Sequence, residues 1–566
     1  MVNVKNLFGM AVMATALVGC SSNDNLAPDG KDNVGTTGEA YASFKINLPT
    51  TTGGTRADDP KPGTLSFAEG EAKEYEVKNG TILIFGEDGK FVTSAQLGTM
   101  NPWTDVKTDG VTTSAIATVK LSNVTVGGNY SALVLLNNDV DAATKKVTLP
   151  TTAETYATWS ADASKANADE YVSTDGIFMA NAPMYSATSE PTTLVKINNV
   201  CASPEEAQAK AATVVYVERG LAKVTMEDFS TSGYAIADGT YKGDKVEIKA
   251  WQLDVTNKST FPVHQTGTLK DSWAKIWSTP RFYDGVNKTF KRVYWGVDPN
   301  YNNAKYQVLT NCNDAFNMIT KDKVVGEAGN AHPQYCLENT FDLDNMKQGQ
   351  TTRVVFKAVF TPKDFTANET FYKIGNNTAI WSKAKLEEQI KTVALTAMGI
   401  TDATEQNKYS VDLSKGSNIS GVAGQHLIQE ANITYSGTPT DSKVKPAIVN
   451  TVNEKLGLKE EGGKITTGIS TYLNGEAYYI ARIKHFNELT PWKAGEAYDS
   501  NNEKYLGRYG VLRNNWYDLS VTSISGLGYP DVPEVKPTVP DDENDQYVNV
   551  EVKILSWAKR SQQIKL

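Results

Sequence analysis

Tyr547-Val-Asn-Val-Glu-Val-Lys-Ile554 places Val548, Val550, Val552 and Ile554 at every second position, with polar residues between them. Successive side chains of a strand point to opposite faces, so this stretch reads as a β-strand with one apolar face. What precedes it is as telling. Pro530, Pro533, Pro537 and Pro540 punctuate a stretch that ends Asp541-Asp-Glu-Asn-Asp545, which reads as a stiff, extended, solvated linker over 530–546. The C-terminal segment 547–566 is therefore a strand on a tether. Upstream, Val511 to Ile524 reads as a long strand closed by Gly526-Leu-Gly528.

The same alternation occurs near the other end of the chain. Tyr41-Ala-Ser-Phe-Lys-Ile-Asn-Leu48 puts Ala42, Phe44, Ile46 and Leu48 on one face. Pro49-Thr-Thr-Thr-Gly-Gly-Thr-Arg56-Ala57-Asp-Asp-Pro60 follows, a run of turn-forming residues around one arginine, and such a loop is open to proteases. Strand patterns continue at 80–85, 91–97, 113–121, 130–136, 212–217, 245–255, 352–360 and 478–483. With Gly, Thr, Ser, Asn and Tyr abundant, they predict a mainly-β fold. Helices are few. Ser203-Pro204-Glu205-Glu206 combines a capping box with proline at the first helical position and predicts a helix over 204–211. Ser382 to Ala397 carries the stripe Leu386, Ile390, Val393 and Ala397 and ends before Gly399.

At the N-terminus, Lys5 precedes the apolar run Leu7 to Val18, too short to span a bilayer of about 30 Å. A charged start, a short apolar stretch and a small residue before the cut make residues 1–19 a secretory signal. Leu17-Val18-Gly19-Cys20 resembles the lipobox of bacterial lipoproteins, with Cys20 as the acylated residue; an ordinary signal peptide with an incidental cysteine is the alternative. The chain beyond it exceeds what one hydrophobic core serves, so two domains are expected, divided near residue 228 at the polar stretch beginning Asp228-Phe-Ser.

With 65 acidic against 56 basic residues and no long basic run, the composition offers nucleic-acid phosphates little. Cys201, Cys312 and Cys336 remain besides Cys20, and in an oxidising compartment Cys312 and Cys336 could pair or stay free. His332 four residues before Cys336 gives a weak zinc signal, so no metal or other cofactor is expected. His264, His332, His426 and His485 fit no nucleophile or metal pattern and are read as surface or half-buried residues. Catalytic signatures are lacking: there is no Gly-x-Ser-x-Gly elbow, phosphate loop or His-Glu-x-x-His. Glu387-Glu388 reads as a solvated helix face. The aromatic residues could build a sugar-stacking platform, which keeps a monomeric surface glycan-binding lipoprotein as the alternative function and an unrecognised hydrolase as a third.

The order of these elements resembles the shaft pilins of Bacteroidales type V pili, closest to the major subunit of the minor fimbriae. The resemblance is carried by the lipobox at Cys20, the early alternating strand, Arg56, Arg513-Asn514-Asn515-Trp516-Tyr517 leading into the strand ending at Ile524, the Pro/Asp stretch and Val550-Glu-Val-Lys-Ile-Leu-Ser-Trp557. It implies two transthyretin-like β-sandwich domains, 57–228 and 229–529, behind a propeptide, 20–56. It implies a lipoprotein exported to the outer membrane, a cut between Arg56 and Ala57 by an arginine-specific protease, and loss of the strand bearing Phe44, Ile46 and Leu48. A neighbour's donor strand, with Val548, Val550, Val552 and Ile554, would fill the vacated groove. The implied partners are further copies of the chain and accessory pilins, and the mature form would sit in extracellular fimbriae that support adhesion and biofilm formation. The stretch from Phe261 to Cys336 reads as insertions of no assigned role.

Overall fold

The computed structural model describes residues 38–49, 67–68, 74, 76–98, 104–105, 111–171, 176–186, 189–266, 293, 295–438, 442–485, 505–541 and 548–557. Cys20, Arg56 and Ala57 lie outside the described residues.

The fold is mainly β. Its first sheet runs, edge to edge, through Phe91–Gln96, Gly80–Gly86, Tyr130–Leu136, Met179–Asn181, Thr213–Arg219, Gly38–Pro49, Val111–Val124 and Thr104–Asp105, with Val195–Lys196 added on Tyr130–Leu136. Residues from both halves of this sheet, Ile82, Ile84, Val134 and Leu136 from one and Phe44, Ile46, Val119, Leu121 and Val215 from the other, share a single core. The sheet therefore folds over on itself as a sandwich.

The second sandwich faces a sheet of Gln334–Leu337, Leu221–Met226, Asn515–Ile524, Val548–Trp557 and Phe67–Ala68 against one of Tyr234–Ala235, Lys245–Asp254, Arg353–Thr361 and Glu476–Arg482. Val224, Met226, Tyr517 and Leu519 from the first meet Trp251, Leu253, Phe356 and Tyr479 from the second. The chain crosses between sandwiches at Gly220, not near 228. A Cβ there would stand 2.9 Å from the Tyr171 ring, so only glycine fits the crossing. Leu221–Met226 was expected in the first domain because it follows the first domain's strands, but its partner is Asn515–Ile524, in parallel.

Both predicted helices are present. Ser203 caps Pro204–Ala209 by accepting from the Glu206 backbone N–H, and the Glu206 carboxylate reaches back to the Ala202 N–H at 3.0 Å. Lys383–Met398 ends at Gly399 in the left-handed conformation, φ 68°. It buries Leu386, Ile390, Ala394, Leu395 and Met398, so the stripe lies slightly to one side of the expected one. This helix belongs to a module between Phe371 and Tyr472 with its own core, joined by helix Pro446–Lys455 and a sheet of Phe371–Ile374, Ile469–Tyr472 and Gly424–His426. The expected single C-terminal sandwich is thus a sandwich plus an inserted α/β module. No helix among the described residues is long and apolar enough to cross a membrane.

Candidate assembly site

Strand Gly38–Pro49 sits in the middle of the first sheet. It pairs antiparallel with Val111–Val124 and parallel with Thr213–Arg219, the latter through Phe44 to Asn47. Ala40, Ala42, Phe44 and Ile46 are all fully buried in the core, while for Leu48 only the backbone pairing with Thr113 is described. On the opposite face Ser43 bonds Thr118 at 2.8 Å. Asn47 is 2% exposed, and its side-chain oxygen has no hydrogen-bond partner. A strand held on both edges and one apolar face leaves, when withdrawn, two rows of unpaired backbone groups around an apolar slot.

Val548–Trp557 lies antiparallel against Asn515–Ile524 of its own chain, with Val548 opposite Ile524, Val552 opposite Leu519 and Ile554 opposite Tyr517. Its last two residues pair in parallel with Phe67–Ala68. In the single chain the terminal strand thus lies between Asn515–Ile524 and the short edge strand Phe67–Ala68 of its own second sandwich.

The Pro/Asp stretch is a correction to the solvated linker expected from composition. Tyr529 exchanges backbone bonds with Tyr478, the Pro533 carbonyl accepts from the Arg353 guanidinium at 2.6 Å, Gln348 N–H donates to Val539, and the buried Asp541 carboxylate accepts from the Thr351 hydroxyl at 2.8 Å. Arg353 is fixed in turn by Asp254 at 2.8 Å. The chain is docked through Asp541, and only the six residues 542–547 separate it from the terminal strand. Prolines that leave backbone carbonyls free suit such lacing as well as they suit a solvated tether, so composition does not separate the two.

Between the sandwiches lies a buried polar joint that sequence reasoning missed. The Arg513 guanidinium meets the Glu338 carboxylate at 3.2 Å and the Thr260 hydroxyl at 3.3 Å. Nearby His264 Nδ1 is hydrogen-bonded to the Glu218 carboxylate at 2.6 Å. Burial works against the Arg513 charge, yet Glu338 and Glu218 hold its pKa above the ordinary value. Asn514, at φ 57°, accepts from the Arg219 N–H and donates its own N–H to the Leu221 carbonyl, stitching the crossing. Lys223, under Trp516 at 3.7 Å, pairs with Glu74 at 2.7 Å, and both are essentially inaccessible. The Arg513-to-Tyr517 motif is thereby the inter-sandwich seam. Its run of two asparagines beside a tryptophan is the signal that could have found it.

Other expectations change. Cys312 and Cys336 do not pair: Cys201, Cys312 and Cys336 are all free and buried. The Cys312 thiol donates to the Tyr306 carbonyl in one small core and Cys336 lies in another, so proximity in sequence does not bring them together. Burial pushes Cys312 up to about 11 and Cys336 up to about 12. Three of the histidines, His264, His426 and His485, are buried rather than half-exposed, held by Glu218, the Val422 carbonyl and Tyr517. His332 is exposed beside Glu327. Among the described residues no His, Cys, Asp and Glu cluster could hold a metal.

The molecule is thus a mainly-β protein of two sandwiches, the first holding Gly38–Pro49 inside its sheet and the second holding Val548–Trp557 between Asn515–Ile524 and Phe67–Ala68. Residues 470–563 match the family described as "Major fimbrial subunit protein type IV, Fimbrillin, C-terminal". No curated protein matches the chain. Among solved structures, a "putative cell adhesion protein" of Parabacteroides distasonis is 12% identical over 93% of this chain and 99% of its own, with a TM-score of 0.36. One of the same description from Bacteroides eggerthii is 11% identical over 93% and 98%, at 0.33. The tip fimbrial protein Mfa3 of Porphyromonas gingivalis, with a C-terminal truncation, is 10% identical over 91% and 100%, at 0.27.

Proposed function

We propose that this chain is the precursor of a shaft subunit of a cell-surface fimbria, anchored through Cys20 to the outer membrane, matured by an arginine-specific protease between Arg56 and Ala57, and polymerised by donor-strand exchange. The observation that carries this reading is the seat of Gly38–Pro49, an N-terminal strand with Arg56 a few residues beyond it in sequence, which fills an interior position of a sheet rather than its edge. Cutting the loop leaves that strand held by non-covalent contacts alone, and its loss opens a slot that accepts an extended segment by strand addition. Val548, Val550, Val552 and Ile554 supply the incoming apolar face. Four aliphatic side chains contribute roughly 6–12 kcal/mol on burial before ordering costs, and each ladder hydrogen bond adds about 0.5–1.5 kcal/mol.

The partners are further copies of the chain and accessory subunits of the same filament, and adhesion and biofilm formation follow as properties of the filament. No reaction is assigned to the chain. Negative-stain microscopy of processed protein tests the reading: rods from the wild type, and none from Arg56→Ala, which keeps its strand. Rods from uncut Arg56→Ala, or a processed monomer that binds polysaccharide and never polymerises, would overturn it.

A further inference from the structure

Resting on the donor-strand reading, we infer that the terminal strand of one copy enters the groove of the next in a single register, Val548 to Ser556 replacing Ala40 to Leu48, so that Lys553 and Ile554 take the places of Lys45 and Ile46 and Leu555 takes that of Asn47.

One-residue shifts are excluded first, since they turn the valine face outward. Three even registers remain, and the outer face of the groove separates them. Position 47 is closed to solvent, and the asparagine there buries a side-chain oxygen with no hydrogen-bond partner. In the inferred register this position receives Leu555, an apolar group in place of an unsatisfied polar one. Slipping the donor two residues toward Pro49 places Lys553 there instead, burying an ammonium group with no partner in view.

Position 45 gives the second constraint. Lys45 lies between Ile116 on one neighbouring strand and Val214 on the other, and these are 69% and 40% exposed. A lysine covers such a pair with its methylene stem while its head stays in water. The inferred register returns a lysine, Lys553, to that spot, whereas the slipped one brings the shorter Glu551. Slipping two residues the other way fails on the inner face, where Ser556 would replace the fully buried Ile46.

The inner face stays apolar at positions 40, 42, 44 and 46 in the chosen register. Val548 and Val550 enlarge the side chains at Ala40 and Ala42, Val552 is smaller than Phe44, and Ile554 matches Ile46.

Cysteine pairing in the processed full chain reads the register directly. Phe44 stands opposite Ala117 and Ala42 opposite Val119. Ala117→Cys should therefore crosslink between subunits with Val552→Cys, by disulfide or a short bis-thiol reagent, giving a covalent ladder on a denaturing gel. It should do so at least tenfold more than with Val550→Cys or Ile554→Cys. Val119→Cys with Val550→Cys is an independent pair that serves should Ala117→Cys not fold. A ladder led by Val550→Cys or Ile554→Cys on Ala117→Cys overturns the register and leaves donor-strand exchange standing. No ladder from any combination, in protein whose processing is verified, overturns both.

Discussion

Arg513 carries its charge where water does not reach, 2% exposed, and it is held there by Glu338, Thr260 and nearby Glu218. Removing one partner of such a pair leaves an uncompensated buried charge, so Glu338→Ala should cost about 3–5 kcal/mol, measurable as a lower urea midpoint of the whole chain. Beside it, burial pushes the Asp298 carboxyl up to about 7, against hydrogen bonds from the Thr340 and Asn300 N–H groups. An acid whose folded pKa is raised takes up its proton more readily when folded. Its contribution to stability is present below the unfolded value near ~4 and is lost as pH rises through about 7. The stability of Asp298→Asn relative to wild type should therefore grow from pH 4 to 7 and flatten above. A difference constant across that range would contradict it. Asp298 was not legible, being an ordinary polar residue in the sequence, and for Arg513 the sequence marked the motif but not the buried partners Glu338 and Thr260 that the fold brings to it.

At the scale of single elements, alternation revealed the strands over 41–48 and 548–554, because a period of two puts every apolar residue of a strand on one face. It could not reveal which edges they join, since pairing partners lie far off in sequence. Phe44 illustrates the consequence. It is fully buried in Gly38–Pro49, so Phe44→Ala should destabilise the uncut precursor by about 3–5 kcal/mol and leave the processed subunit unchanged, because the processed chain no longer contains it. Equal loss in both forms would mean that the strand is not removed. The Pro/Asp segment has its own consequence. Docked through Asp541, it leaves the terminal strand a reach of about 25 Å over the following residues, and a longer reach requires undoing the bonds from Arg353 and Thr351. Thr351→Val, which deletes the hydroxyl that Asp541 accepts from, should loosen this anchor and speed polymerisation, as followed by light scattering of freshly processed protein. A slower rate would show that the docked segment is needed in place.

For the molecule as a whole, a mainly-β fold was readable from strand spacing and turns, two domains from chain length and the sandwich form only from the resemblance, while the helix around Leu386 and Ile390 was readable from its stripe. The module around that helix was not, because its short strands 371–374, 424–426 and 469–472 carry too few residues to show a period. The Cys312–Cys336 pairing also failed, since closeness in sequence says nothing once two small cores separate the thiols. In the proposed mechanism, proteolysis exchanges a filled groove for an empty one, and the terminal strand of another copy fills it. The most direct test uses processed subunit lacking residues 546–566, uncut precursor with the same deletion, and a labelled peptide of sequence 546–557, with binding followed by fluorescence anisotropy. The account predicts slow, tight binding to the processed subunit and none to the precursor, whose groove still holds Phe44 and Ile46. Equal binding to both forms, or binding to neither, would contradict it.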